Sequence, residues 1–405
     1  MSFESLREEV SEWLATCETC DGSSFVMSRH ATEPTLMTLS FAILVLELFD
    51  LLPDARSNDW IRRLRIAQDP DTGLFIDPRL KAADLKASGR SLDYVIHQTT
   101  YFAAAALDAL HKKPRHRLGF ALKLAREADV ADWLEALDWS EPWVASNWVM
   151  FIATALFAEW QWYGEQAAAD AIHSVLDWLD ERQNPETGFW GVTSETPLSH
   201  AMAATYHFLP YYFCLGRELG YVAEMIDSTL ALQQEDGLFH PDGGGDTCLD
   251  VDAVDILVKC SLLTDHRADE VRIALDRAYS GLLANQAEDG GFCGARNRPL
   301  PPKTWKRRVA ETLHLDRLLG RPYAPPKTVW HYSGWQAMPF DVRQADLWST
   351  WFRPFGLALI SARYPDQYPW ANRWRFRRLP ALGWHDTPPA SKQAARERSW
   401  NRRIP

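Results

Sequence analysis

The sequence predicts an all-α protein, a single α/α toroid of about six helix-pair repeats of the (α/α)6 type. A helix–turn motif recurs along the chain, and its copies lie about fifty residues apart. Almost no segment alternates apolar and polar residues with the period of two that a half-buried strand requires. A period of that length marks tandem supersecondary units, each of which buries its apolar face only against its neighbours.

The motif is an amphipathic helix, a Gln, an acidic or Pro-containing turn, a Gly and then an aromatic residue. It reads Gln68-Asp69-Pro70-Asp71-Thr72-Gly73-Leu74-Phe75 in its first full copy. It returns from Gln183 to Trp190, from Gln234 to Phe239 and from Gln286 to Phe292. Asp21-Gly22-Ser23-Ser24-Phe25 is a shorter copy, and Trp335-Gln336 reads as a worn one. The gap of 115 residues between Gln68 and Gln183 leaves room for a degenerate unit around Trp133 to Trp139. Gly supplies the positive φ that ends a helix, and Asp, Asn and Pro make the turn around it. After the turns come second helical stretches of small and apolar residues: 36–52, 99–110, 147–160, 200–215, 249–263, 309–319 and 348–361. These are the expected inner helices, with residues 1–363 forming the toroid and 364–405 a separate tail.

Composition narrows the function. A chain of 405 residues with 46% hydrophobic content can bury a large core, and nineteen Trp residues need one. A net charge of −11 argues against a nucleic-acid partner for the body, since phosphate binding needs clustered Lys and Arg. The tail is the opposite: from Asp366 to Pro405 there are nine Lys and Arg against three Asp and Glu, with Trp370, Trp374, Trp384 and Trp400 among them. Wrapping along the acidic body is the plainer expectation for it, and peripheral contact with an anionic membrane surface the alternative. The N-terminus reads as an acidic amphipathic helix and not as a signal peptide. The most apolar run, Leu36–Leu52, is too short to span a bilayer as one helix. The six Cys residues show no disulfide spacing, and Cys17-Glu18-Thr19-Cys20 reads as two helix-end thiols. A soluble cytoplasmic protein is expected, its oligomeric state open.

The repeats resemble those of the terpene cyclase and protein prenyltransferase superfamily, over roughly residues 15 to 360. Toroids of this shape also occur among polysaccharide lyases and unsaturated-uronide hydrolases, so the resemblance implies the fold more than the reaction.

The segment most out of character runs from His240 to Leu257. Three Gly residues, 243 to 245, lead into an inner helix, and five Asp residues fall within fourteen positions. Capping by acids at a helix N-terminus accounts for part of this. Carboxylates this close also raise one another's pKa, which makes one of them a usable acid near neutral pH. Asp250-Val251-Asp252 resembles the Asp-x-Asp-Asp/Thr motif of class II terpene cyclases, although Ala253 departs from it. The resemblance implies Asp252 as proton donor, with Asp250 and Asp255 tuning it. Asp246-Thr247-Cys248 resembles two of the three zinc ligands of protein prenyltransferases, for which His331 or His314 would supply the third. No cofactor is the lead expectation and zinc the alternative.

Other polar and aromatic residues follow a loop and open a helix, where a toroid's pocket should lie. His200 is an expected acid–base or orienting partner of an Asp. Tyr101, Trp148, Tyr206, Trp348 and Trp351 are expected substrate liners, along with His97, Asn147 and Asp346. Aromatic faces stabilise carbocations, but they also stack on sugar rings. No Asp-Asp-x-x-Asp diphosphate–magnesium motif, phosphate-cradling Gly loop or Gly-x-Ser-x-Gly elbow is present, which disfavours ionisation-initiated terpene chemistry, nucleotide hydrolysis and serine hydrolysis. The leading expectation is therefore a terpene cyclase-like enzyme that protonates a small-molecule isoprenoid. A carbohydrate-active toroid, a zinc-dependent prenyltransferase-like protein and a non-catalytic scaffold are the alternatives.

Overall fold

The structure is a computed structural model that describes residues 2–298, 328–368, 370–380 and 384. The expected inner helix 309–319, His314 and most of the tail, including Trp400, lie outside the described residues.

Helices apolar on every side must be surrounded by protein, whereas a helix with one apolar stripe lies at a surface. That distinction sorts the elements. The inner set is α2 (Leu36–Leu48), α5 (Leu92–Ala109), α8 (Pro142–Tyr163), α10 (Leu198–Leu215), α12 (Thr247–Cys260) and α14 (Leu347–Arg363), buried nearly all round. The outer set is α1 (Phe3–Thr16), α3 (Asp54–Ile66), the broken pair α6 (Gly119–Glu127) and α7 (Val130–Glu135), α9 (Gln166–Arg182), α11 (Val222–Leu232) and α13 (Ala268–Leu283). A single turn, α4 (Ala82–Leu85), precedes α5. Each inner helix packs on the next in chain order, and α14 packs back on α2, so the inner ring closes. The degenerate unit is α6 and α7, where Trp139 stacks on Trp178 of α9.

The Gln of each motif is a staple. Gln68 Nε2 donates to Gly73 O in its own turn and to His116 O ahead of the next outer helix, at 3.0 and 2.9 Å. Gln183 does the same with Gly188 O and Gly220 O, both at 2.8 Å. In the third copy the staple is Gln233, which reaches Gly237 O and Ala274 O, and the neighbouring Gln234 reaches only Leu232 O. The motif is thus one residue out of the register read from sequence. Gln286 donates to Gly290 O and to Glu9 of α1, which joins the last staple to the first helix. Gly188 shows why the turn needs glycine: its φ is +73°, and a Cβ there would lie 2.6 Å from Met225 N. Replacing Gln183 with Ala strands two inward carbonyls and should cost about 1–3 kcal/mol, read as a lower denaturation midpoint at unchanged m-value.

The turn aromatics Phe25, Phe75, Trp190, Phe239 and Phe292 are all buried. In four units the aromatic's backbone N–H donates to a side-chain oxygen of the following inner helix. The acceptors are Thr100, Thr205, Asp250 and Thr350. Asp250 therefore occupies the position that Thr fills elsewhere.

Among the described residues one departure from the all-helical expectation sits between α13 and α14. A two-stranded antiparallel hairpin pairs β1 (Val329–His331) with β2 (Pro339–Asp341). Trp335-Gln336 falls in its turn, so it is not a repeat copy. Trp335 is buried because the hairpin folds onto the ring. The described part of the tail lies against the body at the C-terminal ends of the inner helices. Trp370 and Trp374 pack on Phe3, Arg373 pairs with Glu4, Arg375 with Asp50, and Leu379 N donates to Asp108. No helix among the described residues is long and apolar enough to cross a membrane.

Candidate active site

The N-terminal ends of the inner helices surround a cavity of about 310 Å³. Helical spacing decides who faces it. Tyr94, Gln98 and Phe102 project from α5, four residues apart, and Trp143, Asn147 and Met150 project from α8. His200, Tyr206 and His207 come from α10, Cys248 and Asp252 from α12, and Trp348 and Phe352 from α14. The hairpin adds Tyr332, whose ring meets Phe41 at 5.1 Å and Trp348 at 5.2 Å, so it forms part of the cavity wall. Its neighbour Ser333 hydrogen-bonds Gln98.

The acidic helix separates its carboxylates by function. Asp246 caps α12, accepting from Cys248 N at 3.1 Å, and Arg298 pairs with its other oxygen. The glycine run permits this approach: at Gly245 (φ +75°) a Cβ would sit 2.5 Å from both Asp250 Oδ2 and Leu238 Cδ1. Asp250 accepts from Phe239 N and Asp246 N and pairs with the equally buried Arg353 at 3.1 Å. Burial lifts its pKa to about 6 against the pull of Arg353. Asp255 pairs with Lys259 one turn on, and burial raises it while Lys259 opposes the shift.

Asp252 differs from these. Of the three buried carboxylates of α12 it is the one that lines the cavity, and its Oδ2, like that of Asp255, has no hydrogen-bond partner among the described residues. Desolvation pushes its carboxyl well above the usual range, and the nearby Asp246, Asp255 and Asp250 push the same way. Such an environment favours the protonated carboxyl, which faces a cavity whose wall includes Trp348, Phe352, Tyr206 and Tyr332.

Of the residues expected from sequence, Asp252, Tyr206, Asn147, Trp348 and His200 meet at this cavity. His200 stands edge-on to Trp143 at 5.4 Å. His97 and Trp148 do not line it. They pack on each other at 4.9 Å, His97 against Phe120 of α6, and Trp148 borders an adjoining groove with Glu141 and Arg90. Tyr101 and Trp351 are buried in the wall beside Phe102. Asp346 caps α14 through Ser349 N and Oγ, at 2.9 and 2.7 Å, and burial lifts it to about 7. Tyr94, Phe102, Met150, Tyr332 and Phe352 are liners that the sequence reading passed over. His207, which the sequence places with Tyr206 among the polar residues of an inner helix but not among the selected site residues, lines the cavity too.

The zinc alternative needs Asp246, Cys248 and a His. Among the described residues no three His, Cys, Asp or Glu side chains are grouped so as to hold a metal ion. Asp246 is engaged in its cap, burial holds the Cys248 thiol well above its usual pKa, and His331 sits on the hairpin. As placed in the structure, Asp246, Cys248 and His331 do not form a zinc site, and His314 lies outside the described residues.

The prenyltransferase alpha-alpha toroid domain family matches residues 79–298, more than half of the chain. The chain belongs to this family. The curated proteins contain no match. Three solved structures are similar to this chain. A type II terpene cyclase from Scytonema, solved with its substrate geranylgeranyl dihydroxybenzoate, gives a TM-score of 0.48 at 13% identity over 89% of this chain and 98% of that one. A polysaccharide lyase gives 0.48 at 12% identity, over 90% and 99% of the two chains. A GH76 alpha-mannanase from Bacteroides thetaiotaomicron gives 0.46 at 10% identity, over 91% and 97%. Likenesses this distant do not separate a hydrocarbon from a sugar, so within the prenyltransferase toroid family the reaction has to be argued from the cavity.

Proposed function

We propose that this toroid is a terpene cyclase-like enzyme that starts cyclisation of an isoprenoid by protonating it, with Asp252 as the acid. The observation that carries this reading is the Asp252 carboxyl, buried, with Oδ2 unpartnered among the described residues, at a cavity whose wall carries seven Phe, Tyr and Trp side chains beside its polar groups. An alkene is a very weak base, so its protonation needs an acid that is neutral, desolvated and free of competing acceptors. The resulting cation would lie among the faces of Trp348, Tyr332, Phe102 and Phe352, which would stabilise it through their quadrupoles, with the Asp252 carboxylate left by proton transfer as its counter-ion. Family membership supports the reading at the level of fold, and the chemistry proposed uses side chains alone.

The test is a thermal-shift screen against two ligand sets. One set holds geranylgeranyl diphosphate, squalene and a geranylgeranylated dihydroxybenzoate; the other holds uronide-containing oligosaccharides. A ligand of the native state at a hundred times its dissociation constant adds about 2.7 kcal/mol. Stabilisation by isoprenoids alone is expected. Stabilisation by the oligosaccharides alone would end the cyclase reading.

A further inference from the structure

A protonation-initiated cyclisation also needs a group that removes a proton at the end, and we propose that His207 is that base, presenting a bare Nε2 to the cavity. This rests on the cyclase reading. The argument starts from one hydroxyl hydrogen. Ser146 Oγ lies 2.9 Å from Trp143 O and 2.8 Å from His207 Nδ1. A carbonyl oxygen only accepts, and Trp143 O takes the Asn147 amide as well, so both Ser146 contacts are hydrogen bonds at once only when the single hydroxyl hydrogen of Ser146 goes to Trp143 O. Ser146 Oγ can then only accept from the imidazole, which places the ring hydrogen on Nδ1. In a neutral ring that leaves Nε2 with its lone pair. The ring is buried and lines the cavity, and no described residue hydrogen-bonds Nε2.

Burial lowers the His207 pKa to about 3, so the ring is neutral at any ordinary pH. Such a base is weak toward water, but a C–H beside a carbocation is acidic enough to lose its proton to it. His207 lies on α10 and Asp252 on α12, inner helices that pack directly on one another. The two residues therefore line one cavity from adjacent walls.

The electrons balance. Asp252 transfers its proton to an alkene carbon and becomes a carboxylate, and ring closure carries the positive charge along the substrate. The C–H bond next to the final cationic carbon breaks, its electron pair forms the new double bond, and the proton goes to Nε2. Passage of that proton from His207 back to Asp252 through solvent resets the site. The product is an isomer of the substrate and no co-reactant is consumed. Ser146 is a positioning residue, since it holds the tautomer without touching substrate.

Two measurements test this. The first needs no substrate: nitrogen-15 NMR of histidine-labelled protein, with the His207 signals assigned by their loss in His207→Phe. One protonated and one bare nitrogen are expected from mildly acidic to mildly alkaline pH, and Ser146→Ala should redistribute the tautomers. A doubly protonated ring, or a proton held on Nε2, would overturn the assignment. The second compares products from whichever isoprenoid of the panel turns over. His207→Phe and His207→Gln should still consume it, but the yield of the native alkene should drop by about 100-fold in favour of water-captured or shifted-alkene products. Native products in native proportions would overturn the base assignment while leaving the cyclase reading standing. Full turnover by Asp252→Asn would instead remove the cyclase reading itself.

Discussion

Asp252→Asn should abolish turnover and make the protein more stable at neutral pH. General acid catalysis contributes about 100- to 10,000-fold, and here the acid starts the reaction, so the loss should reach at least the upper end. Asn keeps the shape and the polarity of the group, so the toroid should be unchanged. The stability change follows from where the proton is held. Burial and the neighbouring acids raise the folded-state pKa of Asp252 well above its unfolded value. The stabilisation this group provides is complete below the unfolded pKa of about 3.9 and is lost as pH rises through the folded pKa. Asn has no proton to lose, so the variant should melt higher than the native protein at neutral pH, with the gap closing below about pH 4. Calorimetry across that range checks it. A variant that is inactive and less stable at every pH would mark Asp252 as a structural residue.

The second large effect is at Asp250. Removing one member of a buried ion pair leaves the other uncompensated and costs about 3–5 kcal/mol, a large share of a typical 5–15 kcal/mol total. Asp250→Ala would strand the Arg353 guanidinium, whose Nη1 has no hydrogen-bond partner among the described residues even in the intact pair, and would leave Phe239 N and Asp246 N without acceptors. The repeat suggests a remedy. Thr100, Thr205 and Thr350 serve their turn aromatics at the same position, so Asp250→Thr combined with Arg353→Leu should recover much of the loss. Denaturant midpoints of both single variants and the double variant should give a coupling of about 1–3 kcal/mol. Simply additive losses would show that the pair is not the unit that matters.

This outcome also explains why the acidic motif was only partly legible. In sequence Asp250 and Asp252 are near neighbours and read as one catalytic group. On a helix two residues are about 200° apart, so Asp252 turns into the cavity while Asp250 turns into the unit's own frame. The same rotation misled the reading of α5 and α8. The sequence suggests that His97 opens a helix, but α5 begins at Leu92 and its cavity face runs through Tyr94, Gln98 and Phe102. That spacing of four was present in the sequence and would have found them. The inner ring itself was legible because helices apolar on all sides and a period near fifty admit few other packings. The hairpin carrying Tyr332 was not, since three-residue strands show no usable alternation and Trp335-Gln336 imitates the repeat. The Gln register slipped at 233 and 234 because adjacent Gln residues are told apart only by which of them reaches across to Ala274 O.

The most direct test of proton-initiated chemistry is turnover in heavy water. Native protein is incubated with geranylgeranyl diphosphate, squalene and the geranylgeranylated dihydroxybenzoate, and the products are read by mass spectrometry and NMR. The account predicts a cyclised isomer of one substrate carrying one deuterium at the carbon that received the initiating proton, and none of it from Asp252→Asn. A cyclised product without deuterium, or one formed equally by Asp252→Asn, would contradict it.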